Sequence, residues 1–348
     1  MMKADIICFT ERGLILAERI KKSFGEGIEV YYKFRLEGRE IPETVKLVRE
    51  PLTEWAAERF NNGTALIFIG ACGIAVRSIA PSVRDKMKDI PVVVMDEAGR
   101  HVIPILSAHY GGGSELAAEI SSIVGGETII TTATDLNELF AADVFARKNN
   151  LAISSKEGVK KVSAKILRGD EISFRIEGGK FLSKLPKEVK NIKKGNSDIL
   201  ISPYRDNPVA GHSLKLVPRV VYAGIGCMKD KPMEEIAELF DRTLSELNID
   251  SSAIHGVATI DLKANEKGLR EFVRDRNYSF QSFSADVLKK LRGNFTASAF
   301  VAKTVGIDNV CERACMAAAG KGASLICKKK AWNGVTVAFA ISKWSVFF

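Results

Sequence analysis

The segment from Leu66 to Asp135 reads LIFIGACGIAVRSIAPSVRDK (66–86) and, after Met87 and Lys88, DIPVVVMDEAGRHVIPILSAHYGGGSELAAEISSIVGGETIITTATD (89–135). Its pattern indicates the class of fold. Short apolar runs in this stretch, at 66–69, 92–95, 102–106 and 129–130, end repeatedly in small or charged residues, and a helix is predicted after them at 136–146. Such runs are typical of strands that are buried on both faces of a parallel sheet. Open parallel sheets bind their ligands beyond the carboxyl ends of the strands. We therefore expect the functional residues of this stretch to collect at one edge of a sheet.

Strand-like and helix-like patterns alternate on both sides of this stretch. A strand at 4–9 leads into a helix at 11–24, and a second alternating region opens at Arg219. Between the two regions lie glycines, lysines and short alternating runs, which favour small strands. The pattern predicts an α/β protein with two parallel-sheet domains, 1–144 and 218–348, joined by a mixed or mainly β middle segment, 145–217.

The composition is that of an ordinary globular chain. Its 348 residues are 46% hydrophobic, and no apolar run is long enough to span a bilayer. The N-terminus lacks the long apolar core of a signal peptide, so we predict a cytoplasmic protein without a membrane partner. The six cysteines form no C-x-x-C pair, and we predict no metal site.

The formal net charge of +9 is unevenly distributed. Residues 141–217 carry 16 lysines and arginines against 8 acidic residues. This excess is suited to attracting a polyanion, although a solvated basic surface is the ordinary alternative. No aromatic RNP motif or zinc-finger spacing is present, so no nucleic-acid partner is predicted.

Three glycine-containing segments follow strand-like runs, at 70–73, 111–114 and 224–226. A glycine loop before a helix presents free N–H groups and a partial positive charge, which suits an anion. A tight turn that needs glycine is the alternative. Ser114 is a plausible cap of the helix that follows the second loop. The third loop lacks the complete dinucleotide fingerprint, which disfavours a nicotinamide enzyme.

Several side chains near these loops are suited to proton transfer or to carboxylate binding. His109 is a candidate acid or base, because a histidine ordinarily titrates near neutral pH, and Glu97 is a second candidate base. Arg77 and Lys86 are candidate carboxylate clamps. Ser107 would share a face with His109 if the run stayed extended, which makes it the one serious covalent candidate. For a hydrolytic reaction, we favour direct attack by water over a covalent intermediate on Ser107.

Four motifs of the first half and three of the second carry a family resemblance. They are GACGIAVRSIAP (70–81), the segment from Lys86 to Gly99, LSAHYGGGS (106–114), TTATD (131–135), GIGC (224–227), ATIDLKANE (258–266) and GVTVA (334–338). In this order they closely resemble the CbiG family, the cobalt-precorrin-5A hydrolases of anaerobic cobalamin synthesis. The chain departs from the family pattern at Ala108 and at Gly113-Ser114.

The resemblance implies hydrolysis of the ring-A δ-lactone of cobalt-precorrin-5A and release of acetaldehyde. It implies His109 as the acid or base, with Glu97 as the alternative, and no cofactor, because the cobalt arrives within the anionic tetrapyrrole substrate. A homodimer or association with other enzymes of the pathway is left open, as is a non-catalytic tetrapyrrole-binding protein. The expected substrate-binding residues are Gly70, Cys72, Gly73, Arg77, Lys86, Ser107, Gly111, Gly112, Gly113, Ser114, Thr132, Asp135, Gly224, Gly226, Lys263 and Glu266.

Overall fold

The computed structural model describes residues 3–34, 42–85, 88–108, 111–131, 139–205, 211–297 and 307–348. The chain packs as two compact units, Met1–Leu139 and Phe140–Phe348. Both units are α/β, with mixed and largely parallel sheets, so the predicted fold class is confirmed. No helix in the described ranges is long and apolar enough to cross a membrane.

The first unit is one seven-stranded sheet with helices on both faces. Its strand order is β3-β2-β1-β4-β5-β6-β7. Its elements are β1 (Ala4–Cys8), α1 (Glu11–Phe24), β2 (Ile28–Tyr32), β3 (Val45–Leu47), α2 (Leu52–Asn62), β4 (Ala65–Ile69), α3 (Cys72–Ile79), β5 (Val92–Met95), β6 (His101–Leu106), α4 (Gly113–Val124) and β7 (Glu127–Thr128).

Burial explains why the apolar runs became strands. Every residue of β1, β4 and β5 is buried, because α1 and α4 cover one face of the sheet and α2 and α3 cover the other. Helix α1 has the predicted bounds: the Thr10 side chain accepts a hydrogen bond from the Gly13 amide at its start, and Gly25 ends it.

The second unit contains two five-stranded sheets of orders β11-β9-β12-β13-β8 and β16-β15-β14-β18-β17. Its elements are α5 (Ala142–Lys148), β8 (Leu151–Ile153), α6 (Lys156–Leu167), β9 (Ile172–Ile176), β10 (Lys180–Phe181), β11 (Val189–Asn191), β12 (Ser197–Ile201), β13 (His212–Pro218), β14 (Val221–Cys227), α7 (Met233–Glu246), β15 (Ile254–Ile260), α8 (Lys267–Asp275), β16 (Ser279–Phe283), α9 (Ala285–Lys289), α10 (Cys311–Ala319), β17 (Ser324–Trp332), β18 (Val335–Ile341) and β19 (Ser345–Val346).

Three details differ from the sequence prediction. The sheets are not purely parallel, because β6 is antiparallel to β5, β8 to β13, and β18 to both β14 and β17. The strand expected at Ile129–Ile130 lies at Glu127–Thr128 instead. The helix expected from Leu136 begins, within the described residues, at Ala142. The division into three domains stays a prediction.

An ion pair with a buried lysine links β13 to the turn that precedes β15. Lys215 Nζ on β13 lies 2.8 Å from Asp250 Oδ2, and the lysine side chain is only 2% exposed. Burial alone would raise the pKa of Asp250. The hydrogen bonds from Lys215 and from the Ser252 amide, with the lysine charge, outweigh burial and hold that pKa below its ordinary value. Folding therefore favours the ionised carboxylate.

We expect Asp250→Asn to lower the free energy of unfolding by about 3 kcal/mol, because the charge of the buried Lys215 is no longer balanced by the Asp250 carboxylate. A group with a depressed folded pKa stabilises fully above its ordinary pKa of about 4, and the stabilisation is lost as pH falls through the folded value. Urea unfolding between neutral pH and about pH 3 measures both effects. Asp170→Asn, in an exposed pair with Arg168, is the control, and equal losses in the two variants would contradict the prediction.

Candidate functional site

The predicted site residues that the structure describes in the first unit lie at two opposite ends of its strands. Met95 pairs with Val102 and Val92 pairs with Leu106, so β6 runs back along β5. The carboxyl ends of β4 and β5 therefore lie along one side of the sheet, which we call the carboxyl edge. The end of β6 lies along the opposite side, at the amino ends of β4 and β5, which we call the amino edge. Across the four residues of β5, the edges are about 13 Å apart. The expectation that all these residues collect at one edge is wrong.

Helix α3 begins at the carboxyl edge, directly after β4. Cys72 and Gly73 in its first turn are exposed, and the first N–H groups of a helix have no partner within the helix. The guanidinium of Arg77 lies back over this turn, with Nη1 and Nη2 at 3.7 and 3.6 Å from the position of a Cβ on Gly73. A helix N-terminus and a guanidinium thus converge, which is an arrangement that suits a carboxylate.

The turn between β5 and β6 lies at the same carboxyl edge and carries Glu97. Asp96 organises this turn: its carboxylate accepts hydrogen bonds from the amides of Ala98, at 2.9 Å, and His101, at 2.7 Å. Burial would raise the pKa of Asp96, but the amide hydrogen bonds outweigh it and lower that pKa. Asp96 is therefore a turn-forming carboxylate. Glu97 is exposed beside it and remains a candidate base.

The second glycine loop lies at the opposite, amino edge, and two of its amides already donate hydrogen bonds within the chain. Gly112, with φ of 85°, is the N-cap of α4. The prediction that Ser114 caps this helix is therefore wrong. The amide of Gly113 donates to the carbonyl of Ser107 at 3.1 Å, and the amide of Ser114 donates to that of Ala108 at 2.9 Å. These two N–H groups are therefore not available to an anion in this conformation, in contrast to the sequence expectation.

Ser107 does not continue the strand that precedes it. Strand β6 ends at Leu106, and Ser107 has a left-handed φ of 50°. The extended geometry on which its pairing with His109 depended is therefore not formed. Four residues predicted from the sequence lie outside the described residues: Lys86, His109, Thr132 and Asp135. Their roles stay predictions.

In the second unit, Gly224 has a packing role. It is buried within β14, which runs through Cys227, so the predicted glycine loop at 224–226 is a strand. A Cβ on Gly224 would overlap the carbonyl oxygen of Cys311 on α10. Glycine is needed here for close contact between strand and helix. Gly226 is half-buried on the same strand.

Lys263 and Glu266 follow β15 and bind each other. Lys263 Nζ lies 2.7 Å from Glu266 Oε1, and Glu266 Oε2 accepts a hydrogen bond from the Asp230 amide at 3.0 Å. Burial opposes ionisation of Glu266, but these contacts prevail and lower its pKa. The pair joins the loops after β14 and β15. Nearby, burial and the Glu266 charge raise the pKa of Cys227 to about 11, so its thiol is protonated at neutral pH.

Comparison with known proteins identifies the class of protein to which this fold and these motifs belong. Residues 54–135 match the family model described as Cobalamin synthesis G N-terminal, and residues 221–340 match Cobalamin synthesis G C-terminus. A cobalt-precorrin-5A hydrolase of Salmonella typhimurium is 34% identical over 316 residues, which are 88% of each chain. The chain belongs to the CbiG family of cobalamin biosynthesis proteins.

Two further proteins resemble the chain over nearly its full length. A cobalt-precorrin-5A hydrolase of Priestia megaterium is 28% identical over 354 residues, covering 97% of this chain and 94% of the relative. The crystal structure of a cobalamin biosynthesis protein G homologue from Sulfolobus solfataricus covers 98% of this chain and 97% of its own, at 22% identity and a TM-score of 0.40.

Proposed function

We propose that the protein hydrolyses the ring-A δ-lactone of cobalt-precorrin-5A and releases acetaldehyde, which gives cobalt-precorrin-5B. The observation that carries this proposal is the 34% identity with a cobalt-precorrin-5A hydrolase over 88% of both chains. The motifs that match at both ends of the chain support it, because they include the candidate acid, base and carboxylate-binding residues. No nicotinamide or flavin takes part in the proposed reaction.

The reaction requires proton transfer at both of its steps and the stabilisation of an oxyanion. Attack of water on the lactone carbonyl breaks the acyl–oxygen bond and leaves a carboxylate and a hydroxyl group. Loss of the hydroxyl proton then expels acetaldehyde, and the electron pair of the broken carbon–carbon bond returns to the macrocycle, which takes up a proton. We propose His109 as the proton carrier, with Glu97 as the alternative base.

The substrate is a polyanion, because acetate and propionate groups line its rim. We propose that the first turn of α3, with the amides of Cys72 and Gly73 and the guanidinium of Arg77, binds one of these carboxylates. The Arg77 guanidinium over Gly73 supports this assignment, since a cation and a helix N-terminus both stabilise a negative charge. The basic middle region, 141–217, would add longer-range attraction.

We expect Arg77→Met to weaken substrate binding about tenfold, because a hydrogen bond to a charged group is worth about 1.5–3 kcal/mol. Arg77→Lys keeps the charge and loses only the planar fork, so it is expected to weaken binding less. Titration of the coloured substrate at increasing salt measures both effects, since exposed charges are screened over about 8 Å at physiological ionic strength. Arg19→Met, at an exposed position of α1, is the control. Salt-independent binding with an unchanged Met variant would contradict the site.

A non-catalytic tetrapyrrole-binding protein is the second candidate, and the departures from the family pattern at Ala108 and Gly113-Ser114 favour it. Purified protein and cobalt-precorrin-5A, incubated without nicotinamide or flavin, distinguish the two functions. The hydrolase releases acetaldehyde catalytically, whereas the binding protein forms a complex and returns the substrate unchanged. Dependence on added nicotinamide would contradict both.

A further inference from the structure

Ser107 occupies an unusual backbone position that its surroundings maintain. Its φ of 50° is left-handed, a conformation that is uncommon for residues other than glycine. The Ser107 carbonyl accepts the hydrogen bond from the Gly113 amide at 3.1 Å. A Cβ on Gly111 would lie only 2.5 Å from the Ser107 Cβ, so the chain can return past Ser107 only with glycine at position 111.

The Ser107 hydroxyl connects this turn to a second loop. Its Oγ donates a hydrogen bond to the carbonyl of Asp89 at 2.7 Å. The Asp89 side chain organises its own loop, because its Oδ2 accepts hydrogen bonds from the amides of Arg84, at 3.1 Å, and Asp85, at 3.0 Å. One hydroxyl therefore fastens together two segments that are 18 residues apart in the chain.

The same hydrogen bond argues against Ser107 as a nucleophile. A serine nucleophile needs a base that takes its proton, and the Ser107 proton is directed to a main-chain carbonyl, which is not such a base. The hydroxyl is thus engaged in a structural contact between the segment that precedes His109 in the sequence and the segment that follows Lys86.

We propose that Ser107 is a positioning residue of the hydrolase and that Asp89 is its partner. Ser107 acts through the main chain: its hydroxyl fixes the conformation of residues 107–108 relative to residues 84–89, next to the two sequence positions that carry the predicted proton carrier and a predicted carboxylate clamp. This proposal rests on the proposed function. It assigns Ser107 a role other than the substrate contact expected from the family resemblance.

Two substitutions distinguish the effect of losing the Ser107 hydrogen bond from the effect of the backbone strain at this position. Ser107→Ala removes the hydroxyl and keeps a side chain at positive φ, whereas Ser107→Gly removes the hydroxyl and relieves the strain. We expect kcat to fall about 10- to 100-fold in both variants, since a displacement of about 1 Å at a site can cost about 10². KM should change little. Ser23→Ala, at an exposed position near the end of α1, is the matched control.

Hydrogen exchange tests the contact independently of activity. In both Ser107 variants, the amides of Arg84, Asp85, Gly113 and Ser114 should exchange at least about tenfold faster than in the wild-type protein, while those of α1 stay unchanged. Unchanged exchange of these four amides, or a substrate adduct on Ser107 detected by mass spectrometry in the wild-type protein, would overturn the proposal. If the wild-type protein does not turn over cobalt-precorrin-5A, the proposed function fails, and the exchange rates alone decide whether Ser107 fastens the loops.

Discussion

Gly224→Ala should lower the free energy of unfolding of the second unit by about 3 kcal/mol or more, at the upper end of the cost of overpacking a core. The added methyl group would overlap the Cys311 carbonyl and approach the Cys315 amide to 2.9 Å. Both are backbone atoms of α10, so no side-chain rotation can relieve the overlap. The helix must move away from β14, and the apolar contact between them is lost.

Gly226→Ala is the matched control on the same strand. Among the described residues its Cβ would meet the side-chain oxygen of Thr336, at 2.7 Å, and no backbone atom. A threonine side chain can change its rotamer. We expect a loss below about 1.5 kcal/mol. Urea unfolding of the full chain, followed by tryptophan fluorescence, reports on the unit because two of the three tryptophans, Trp332 and Trp344, belong to it, and Trp55→Phe removes the signal of the first unit. Equal unfolding midpoints for Gly224→Ala and the wild-type protein would contradict the packing role.

His109→Ala should lower turnover by about 10²–10⁴-fold, which is the usual contribution of general acid–base catalysis. The reason is chemical: the proposed reaction requires proton transfer at both of its steps, and a histidine side chain is the usual carrier of such protons. Initial rates of acetaldehyde formation measure the loss, and circular dichroism checks that the variant is folded.

Glu97→Gln tests the competing assignment. Glu97 belongs to the turn between β5 and β6, at the carboxyl edge where α3 begins. The glycine loop at 111–114 lies at the amino edge, so Glu97 is tested independently of that loop. A large loss in Glu97→Gln with a small loss in His109→Ala would transfer the role of base to Glu97. His255→Phe, which keeps an aromatic ring against Tyr222 in the second unit, is the control. Wild-type turnover in both His109→Ala and Glu97→Gln would exclude both residues.

Local patterns predicted the elements of the fold because burial determines them. The apolar runs of β1, β4 and β5 became fully buried strands, and α1 has the predicted bounds of 11–24. The direction of β6 could not be read in the same way. A short apolar run is compatible with either direction, and only its pairing with β5 reverses it. That reversal separates the glycine loop at 111–114 from the one at 70–73.

Glycines were the least predictable part of the candidate site. The sequence presents 70–73, 111–114 and 224–226 as three similar loops. In the structure, each segment has glycine for a different physical reason. Gly73 lies under the Arg77 guanidinium, Gly111 lets the chain pass Ser107, and Gly224 admits the backbone of α10. Each reason depends on a partner that is distant in sequence or on a local turn, so composition alone does not distinguish them.

Asp89 was not selected from the sequence at all. Its role becomes visible only when its carboxylate is seen to accept the amides of Arg84 and Asp85 while its carbonyl accepts the Ser107 hydroxyl. The available signal was an Asp before a proline-containing strand start, which ordinarily indicates a turn. An Asp that organises a turn and an Asp that supports a site have the same local sequence.

A single turnover of cobalt-precorrin-5A in ¹⁸O-labelled water tests the central claim, lactone hydrolysis, most directly. The proposed mechanism predicts one labelled oxygen in the freed acetate carboxylate of the product and one equivalent of acetaldehyde per substrate consumed. Acetaldehyde formed with an unlabelled carboxylate, or label-free substrate recovered intact from a stable complex with the protein, would contradict the hydrolase.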